Sequence, residues 1–297
     1  MKAKIVFLVL FILGLNSWAL AEDCRSGEEC FQIGTDYLDK KESQKALKFL
    51  EKSCEKEFNT ACAFLGGLYI KDFSVKGVFI EENTDKALFF SEKSCNLLKN
   101  NEKDLSSSSC ARAGFLYAAK QDYKNAKILF EKGCSGNSAF ACYGIGGIYN
   151  ESLGLKQDYK KAKEYYEKAC DFDFAPACND LAILYDKAKG VKQDYHKALE
   201  LYRKGCNVQY AASCRNIGLY YEKGLGVKQD YKQAREYYEK ACDMNLAIGC
   251  LNLGFLYLNG LGVRQNLFQA KEFFGKTCDM GMQEGCNHYK ELNQKGF

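Results

Sequence analysis

Along residues 214–242, apolar and small residues return at helical spacing twice, with a glycine-rich break between. Cys214, Ile217, Gly218 and Tyr221 stand at positions 0, 3, 4 and 7, the spacing of one helical face. After the break, Ala234, Tyr237 or Tyr238, and the pair Ala241–Cys242 form a second stripe, with Lys232, Arg235, Glu236 and Lys240 on the polar side. The pattern predicts two helices per unit. The small residue at position 4 recurs as Gly66, Gly114, Gly146, Ala182 and Gly254, which predicts close approach of a neighbouring helix. The break itself recurs as Gly190 to Asp194, Gly224 to Asp230 and Gly260 to Asn266. Glycine ends the first helix and Asp or Asn caps the second. Its Gly-x-Gly follows no strand and returns in every full unit, which makes it a turn rather than a nucleotide loop.

The unit repeats every 36 residues from Cys134 through Cys170, Cys206 and Cys242 to Cys278, each with a second cysteine eight positions on. Self-similarity at that length is the signature of a solenoid. The chain is therefore predicted to be all-α, one solenoid domain over 22–297 with about seven repeats: 30–54, 62–95, 110–134, 142–170, 178–206, 214–242 and 250–278. The first and third units are short, and the second carries a longer loop from Asp72 to Thr84. Loops absorb such changes while the helices keep phase. Residues 279–297 are predicted to supply a C-terminal capping helix, which an open-ended stack needs. The 40 Tyr and Phe residues recur at the repeat's own period and read as inter-helix packing.

The N-terminus changes the picture. Met1-Lys2-Ala3-Lys4, an apolar run from Ile5 to Leu15 and Ala19-Leu20-Ala21 ahead of Glu22 read as a secretory signal peptide over 1–21. The run is about half the roughly 20 apolar residues of a membrane span, and Cys24 follows Asp23, against the lipoprotein pattern. A secreted or periplasmic protein without a membrane anchor is expected. Removing Lys2 and Lys4 takes the net charge from +4 to +2, with both signs intermixed, so no nucleic-acid partner is expected.

Sixteen cysteines in an exported chain are expected to be oxidised. With no Cys-x-x-Cys and only His196 and His288, no metal site is expected, and no cofactor. Eight positions within one helix would hold two Cα atoms about 12 Å apart, beyond disulfide reach. The chain must turn between them, so each pair lies at a junction where one second helix ends and the next first helix begins. Pro176 sits in one such turn, where helix-start geometry tolerates it. The pairs predicted are Cys24 with Cys30, Cys54 with Cys62, Cys95 with Cys110, Cys134 with Cys142, Cys170 with Cys178, Cys206 with Cys214, Cys242 with Cys250, and Cys278 with Cys286.

Two motifs carry a family resemblance: Tyr165-Tyr166-Glu167-Lys168-Ala169-Cys170-Asp171 ending one helix, and Cys-x-x-Leu-Gly-x-Leu-Tyr from Cys250 to Tyr257 opening the next. Over essentially the whole mature chain the sequence resembles Sel1-like, tetratricopeptide-type repeat proteins, in particular the Helicobacter cysteine-rich protein family. It departs in its short first and third units and in the insertion Asn96 to Ser109. The resemblance implies a right-handed α/α solenoid. It also implies two functions of different class. One is penicillin binding or β-lactam hydrolysis, with a β-lactam or peptidoglycan-related small molecule as ligand. The other is a non-catalytic scaffold that holds a peptide or protein in a concave groove.

For the enzyme, the one Ser-x-x-Lys match is Ser53-Cys54-Glu55-Lys56, with no Ser-Asp-Asn or Lys-Thr-Gly; the nearest to the latter is Lys276-Thr277-Cys278. Ser53 is predicted to be a surface residue beside a disulfide, and no catalytic residue is assigned. For the scaffold, the position two after each first-helix cysteine lies about 200° round the helix from it. Its occupants are Gln32, Phe64, Arg112, Gly144, Asp180, Asn216, Asn252 and His288. First helices line the concave surface of a tetratricopeptide-like stack, so this variable row is either a ligand strip or a set of solvated positions. Asn216 and Asn252 are suited to a peptide backbone, Arg112 to a carboxylate, and Asp180 completes the candidates.

Overall fold

The computed structural model describes residues 24–70, 80–97, 105–154 and 156–297. The predicted signal peptide lies outside them, as do Leu155 and parts of the second-unit loop and the Asn96 to Ser109 insertion. Fifteen helices and no strand occur among the described residues. In order they are α1 (Gly27–Asp39), α2 (Ser43–Glu55), α3 (Asn59–Leu68), α4 (Thr84–Asn96), α5 (Leu105–Ala119), α6 (Tyr123–Ser135), α7 (Ala139–Glu151) and α8 (Tyr159–Asp171). There follow α9 (Ala175–Asp186), α10 (Tyr195–Asn207), α11 (Ala211–Lys223), α12 (Tyr231–Asp243), α13 (Ala247–Asn259), α14 (Leu267–Asp279) and α15 (Gln283–Gln294). Odd-numbered helices are the first of each repeat and even-numbered ones the second. The chain divides into two compact units, Met1–Ala141 and Cys142–Phe297.

Within a repeat, the two helices meet through a ring laid against a glycine. In the second unit a Cβ at Gly218 would stand 2.5 Å from the Tyr238 ring, at Gly254 2.5 Å from Phe274, and at Gly146 2.6 Å from Tyr166. Gly114 and Phe130 repeat this at 2.6 Å in the first unit. The predicted close approach is thus to the repeat's own second helix, four residues before its last cysteine. Ala46, Ala87, Ala126, Ala162, Ala198, Ala234 and Ala270 sit one turn earlier on the same face, all fully buried.

The tyrosine seven positions after each first-helix cysteine does a second job. Tyr149 stacks on Tyr165, Tyr221 on Tyr237 and Tyr257 on Phe273, with interplanar angles of 5°, 11° and 21°. Tyr37 on Phe49 and Tyr69 on Phe90 do the same in the first unit. Lys168, Lys240 and Lys276 lie over the outer rings Tyr165, Tyr237 and Phe273. The tyrosine hydroxyl then reaches the preceding repeat: Tyr69 donates to Glu51, Tyr117 donates to Glu92, and Tyr221 accepts from Arg203. Such offset pairs contribute about 0.5–1.5 kcal/mol beyond their area.

Loops close the helix ends as the residue types require. Asp158, Asp194, Asp230 and Asn266 accept backbone N–H groups at the starts of α8, α10, α12 and α14. The glutamine just before each cap has its own task. Gln157, Gln193, Gln229 and Gln265 donate to the carbonyls of Asn150, Asp186, Glu222 and Leu258, each at 2.8 Å, satisfying acceptors that a helix end leaves open.

At the junctions the chain reverses through a left-handed residue three positions after the cysteine: Glu57, Asn137, Asp173, Gln209, Asn245 or Gly281. The structure pairs Cys24–Cys30, Cys54–Cys62, Cys95–Cys110, Cys170–Cys178, Cys206–Cys214, Cys242–Cys250 and Cys278–Cys286, with Cα–Cα distances of 4.5–5.1 Å. Cys134 and Cys142 are disulfide-bonded as well. Beside each bond, small residues meet across the junction: a Cβ on Gly249 would be 2.8 Å from that of Ala241, one on Gly205 2.4 Å from Ser213 Oγ, and one on Gly285 2.5 Å from Thr277 Cβ. The same junction precedes the last helix, so α15 begins at Gln283 rather than directly after Asp279.

Gly254→Val should cost about 1–3 kcal/mol, the usual price of overpacking, read as a lower urea midpoint at unchanged slope. Replacing Cys242 and Cys250 together by alanine should lower stability by about 2–3 kcal/mol through loop-closure entropy, a difference that disappears when both proteins are melted fully reduced.

Candidate functional site

The row two positions after each cysteine, expected to be either a ligand strip or a set of solvated positions, is mostly withdrawn from solvent. Only Gln32 is exposed; Phe64, Arg112, Asp180, Asn216, Asn252 and His288 are half-buried and Gly144 is buried. The reason is that first helices of successive repeats pack side by side, and a residue of this row reaches back to the residue one after the cysteine in the repeat before.

In the first unit, Arg112 Nη1 donates to the Ala63 carbonyl at 2.7 Å. Its guanidinium lies over the bare helix at Gly66 and Gly67, and burial pushes its pKa below the ordinary arginine value. The group foreseen as a carboxylate partner ties two first helices together. His288, in the second unit, packs between Phe255 and Phe274 at ring-centroid distances of 5.0 and 4.9 Å.

The second unit holds a longer polar chain. Tyr143 donates to Asp180 Oδ2 at 3.0 Å, and Asn179 Nδ2 to Asp180 Oδ1 at 3.1 Å. Asn179 Oδ1 in turn accepts from Asn216 Nδ2 at 3.1 Å and from Ser213 Oγ at 3.3 Å. Arg215 Nη1 donates to Asn216 Oδ1 at 3.2 Å, while its Nε is buried without a hydrogen-bond partner. The Tyr238 hydroxyl donates to Glu222 Oε2 at 2.5 Å. Asp180 and Asn216 therefore belong to one network, joined through Asn179. Asn252 is not joined to it among the described residues, and Arg112 lies in the other unit.

Sequence reasoning passed over Tyr143, Asn179 and Arg215. A signal was there: the position one after the cysteine reads Phe31, Ala63, Ala111, Tyr143, Asn179, Arg215 and Leu251, polar in three consecutive repeats.

Burial raises the Asp180 carboxyl above the ordinary aspartate value; the bonds from Asn179 and Tyr143 oppose the shift, and Glu151 adds to it. Burial, followed by the nearby Asp180, likewise raises the hydroxyls of Tyr143 and Tyr166. Tyr143 is thus a fixed donor at neutral pH, and the hydrogen bonds of the network run toward the Asp180 carboxylate.

Ser53 corrects a prediction. It is fully buried, and its hydroxyl donates to the Gly27 carbonyl at 2.5 Å. The position before the second-helix cysteine is Ser53, Ser94, Gly133, Ala169, Gly205, Ala241 or Thr277, small because the next first helix passes against it. Thr277 is equally buried and bonds the Phe273 carbonyl at 2.9 Å. Neither hydroxyl is placed to attack a substrate. Among the described residues, no group of three or more His, Cys, Asp or Glu side chains is arranged to hold a metal ion.

This geometry has parallels among known proteins. A protective antigen of uropathogenic Escherichia coli with an SLR fold superposes with a TM-score of 0.74 at 21% identity, over 92% of this chain and 57% of that one. The chain thus spans little more than half that protein's length. A Sel1 repeat protein from Oxalobacter formigenes gives a TM-score of 0.71 at 19% identity, over 98% of this chain and 83% of that one. At such identities the likeness establishes the fold. Helicobacter pylori cysteine-rich protein B is also a structural neighbour, at 34% identity over 43% of this chain and 92% of that one, with a TM-score of 0.37. No curated protein matches the chain. The Sel1 repeat model matches residues 23–58, 60–97, 107–138, 139–171, 175–208, 211–246 and 247–282, and with seven copies of that repeat the chain belongs to the Sel1 repeat family.

Proposed function

We propose that the protein is an exported, non-catalytic scaffold that binds a peptide or partner protein on the first helices of residues 142–297. The observation that carries this reading is the hydrogen-bonded row Tyr143–Asp180–Asn179–Asn216. Half-buried polar side chains held in one orientation by their neighbours are pre-organised for a ligand, and pre-organisation removes much of the entropy cost of binding. Asn216 and Asn252, one repeat apart, offer amides to an extended backbone. The disulfides support the proposed location, since such bonds persist in the periplasm or beyond and are rare in the cytosol. They also keep the spacing of the first helices fixed, which a recognition row needs.

The β-lactam reading that the family resemblance implies lacks a nucleophile among its own candidates, because Ser53 and Thr277 are buried and committed to backbone carbonyls. The scaffold reading asks for no such group.

A pull-down from periplasmic and extracellular fractions with the oxidised protein should capture a partner, and Asn216→Ala combined with Asn252→Ala should weaken that capture at least about tenfold, the scale of two lost hydrogen bonds. Unchanged capture by the double variant would remove the row from the interface. A chromogenic cephalosporin should turn over no faster with the folded protein than with a reduced, unfolded control, and labelled penicillin should not be retained.

A further inference from the structure

Asp180 differs from the ion-paired acids of the second unit in what surrounds it. Asp186 pairs with Lys187 at 2.9 Å, Asp173 with Lys204 at 3.2 Å and Glu167 with Lys163 at 2.9 Å. Asp180 is half-buried, yet its bonds come from two neutral groups, the Tyr143 hydroxyl and the Asn179 amide. Arg215 reaches its network only through Asn216. A carboxylate removed from water without a cation is costly, and two donors leave part of its acceptor capacity open.

The surroundings are aromatic and negative. Tyr143 packs on Phe174 at 5.2 Å and on Tyr166 at 5.7 Å between ring centroids. Tyr210 feels the Asp180 charge as well. Glu151, exposed and in no ion pair among the described residues, acts on the same tyrosines and raises Asp180 further. Rings present a negative face to a cation, and complementary charge is what selects a partner at such a site.

We infer that Asp180, bonded to the Tyr143 hydroxyl at the edge of the Tyr143, Phe174 and Tyr166 ring cluster, is the seat of a cationic side chain, an arginine or lysine, carried by the bound polypeptide. The inference rests on the scaffold reading and names the chemistry of its partner. Arginine fits better, because its planar fork matches a carboxylate and its flat face stacks on rings. The site supplies a charge and a wall. Asn216 and Asn252 would hold the backbone on either side of that anchor.

The test uses the full oxidised protein and two matched probes, N-acetyl-arginine amide and its neutral isostere N-acetyl-citrulline amide, titrated at millimolar concentration and followed by NMR. The arginine probe should shift the signals of Tyr143, Asp180 and Tyr210 and bind at least about tenfold more tightly than the citrulline probe, the scale of one charge-assisted contact with a ring. Asp180→Asn should abolish that preference, and Tyr143→Phe, which keeps the ring, should retain most of it. Asp180→Asn should also remain folded. A raised folded-state pKa means that the ionised carboxylate weakens the fold above that pKa, so at neutral pH the variant's melting temperature should equal or exceed the parent's. Equal response to both probes, response to neither, or a preference that survives in Asp180→Asn overturns the inference. None of these touches the scaffold reading, which stands or falls on the capture experiment with Asn216 and Asn252.

Discussion

Helices in this protein approach more closely than ordinary side chains permit, and two small positions per repeat make that possible. Inside a repeat, rings such as Tyr238 and Phe274 lie where the Cβ atoms of Gly218 and Gly254 would otherwise be. Between repeats, Gly249 meets Ala241 and Gly285 meets Thr277 at distances that exclude anything larger. Dispersion falls off steeply with separation, so the close approach is what lets thin amphipathic helices bury hydrophobic clusters within each unit. The disulfide at each junction closes a short loop around this contact and makes its geometry hard to lose.

Because first helices of successive repeats lie within side-chain reach of one another, their remaining polar positions are no longer free. A side chain two places after one cysteine finds the residue one place after the previous cysteine, and the pair must satisfy each other because water is partly excluded. Arg112 with Ala63, Asp180 with Tyr143 and Asn216 with Asn179 are three versions of that rule. The first ends on a backbone carbonyl and is structural. The latter two link into a network ending on a carboxylate with no cation beside it, which is why we propose the row in residues 142–297, and not the equivalent position at Arg112, as the recognition surface.

The same constraint explains why the serine that invites an enzymatic reading is inert. Ser53 occupies a position that must be small, and a hydroxyl buried there has to donate to the nearest carbonyl. Its local motif carries no information about that burial; the series Ser, Ser, Gly, Ala, Gly, Ala, Thr at the equivalent positions does.

Period, helical phase and cap residues determined the fold from the sequence alone, since these are local properties: a stripe every three to four residues, an Asp or Asn before a helix, a cysteine spacing too long for one helix and too short for anything but a turn. The family resemblance was legible for the same reason, because its motifs are the packing positions of one repeat. Tertiary structure alone decided which polar groups face each other. Tyr143 and Asp180 are 37 residues apart, as are Asn179 and Asn216, and one sequence read by itself does not say that a repeat's second polar position bonds to the first polar position of the repeat before. That choice follows from which residues of successive first helices lie across from one another, which the linear pattern does not contain.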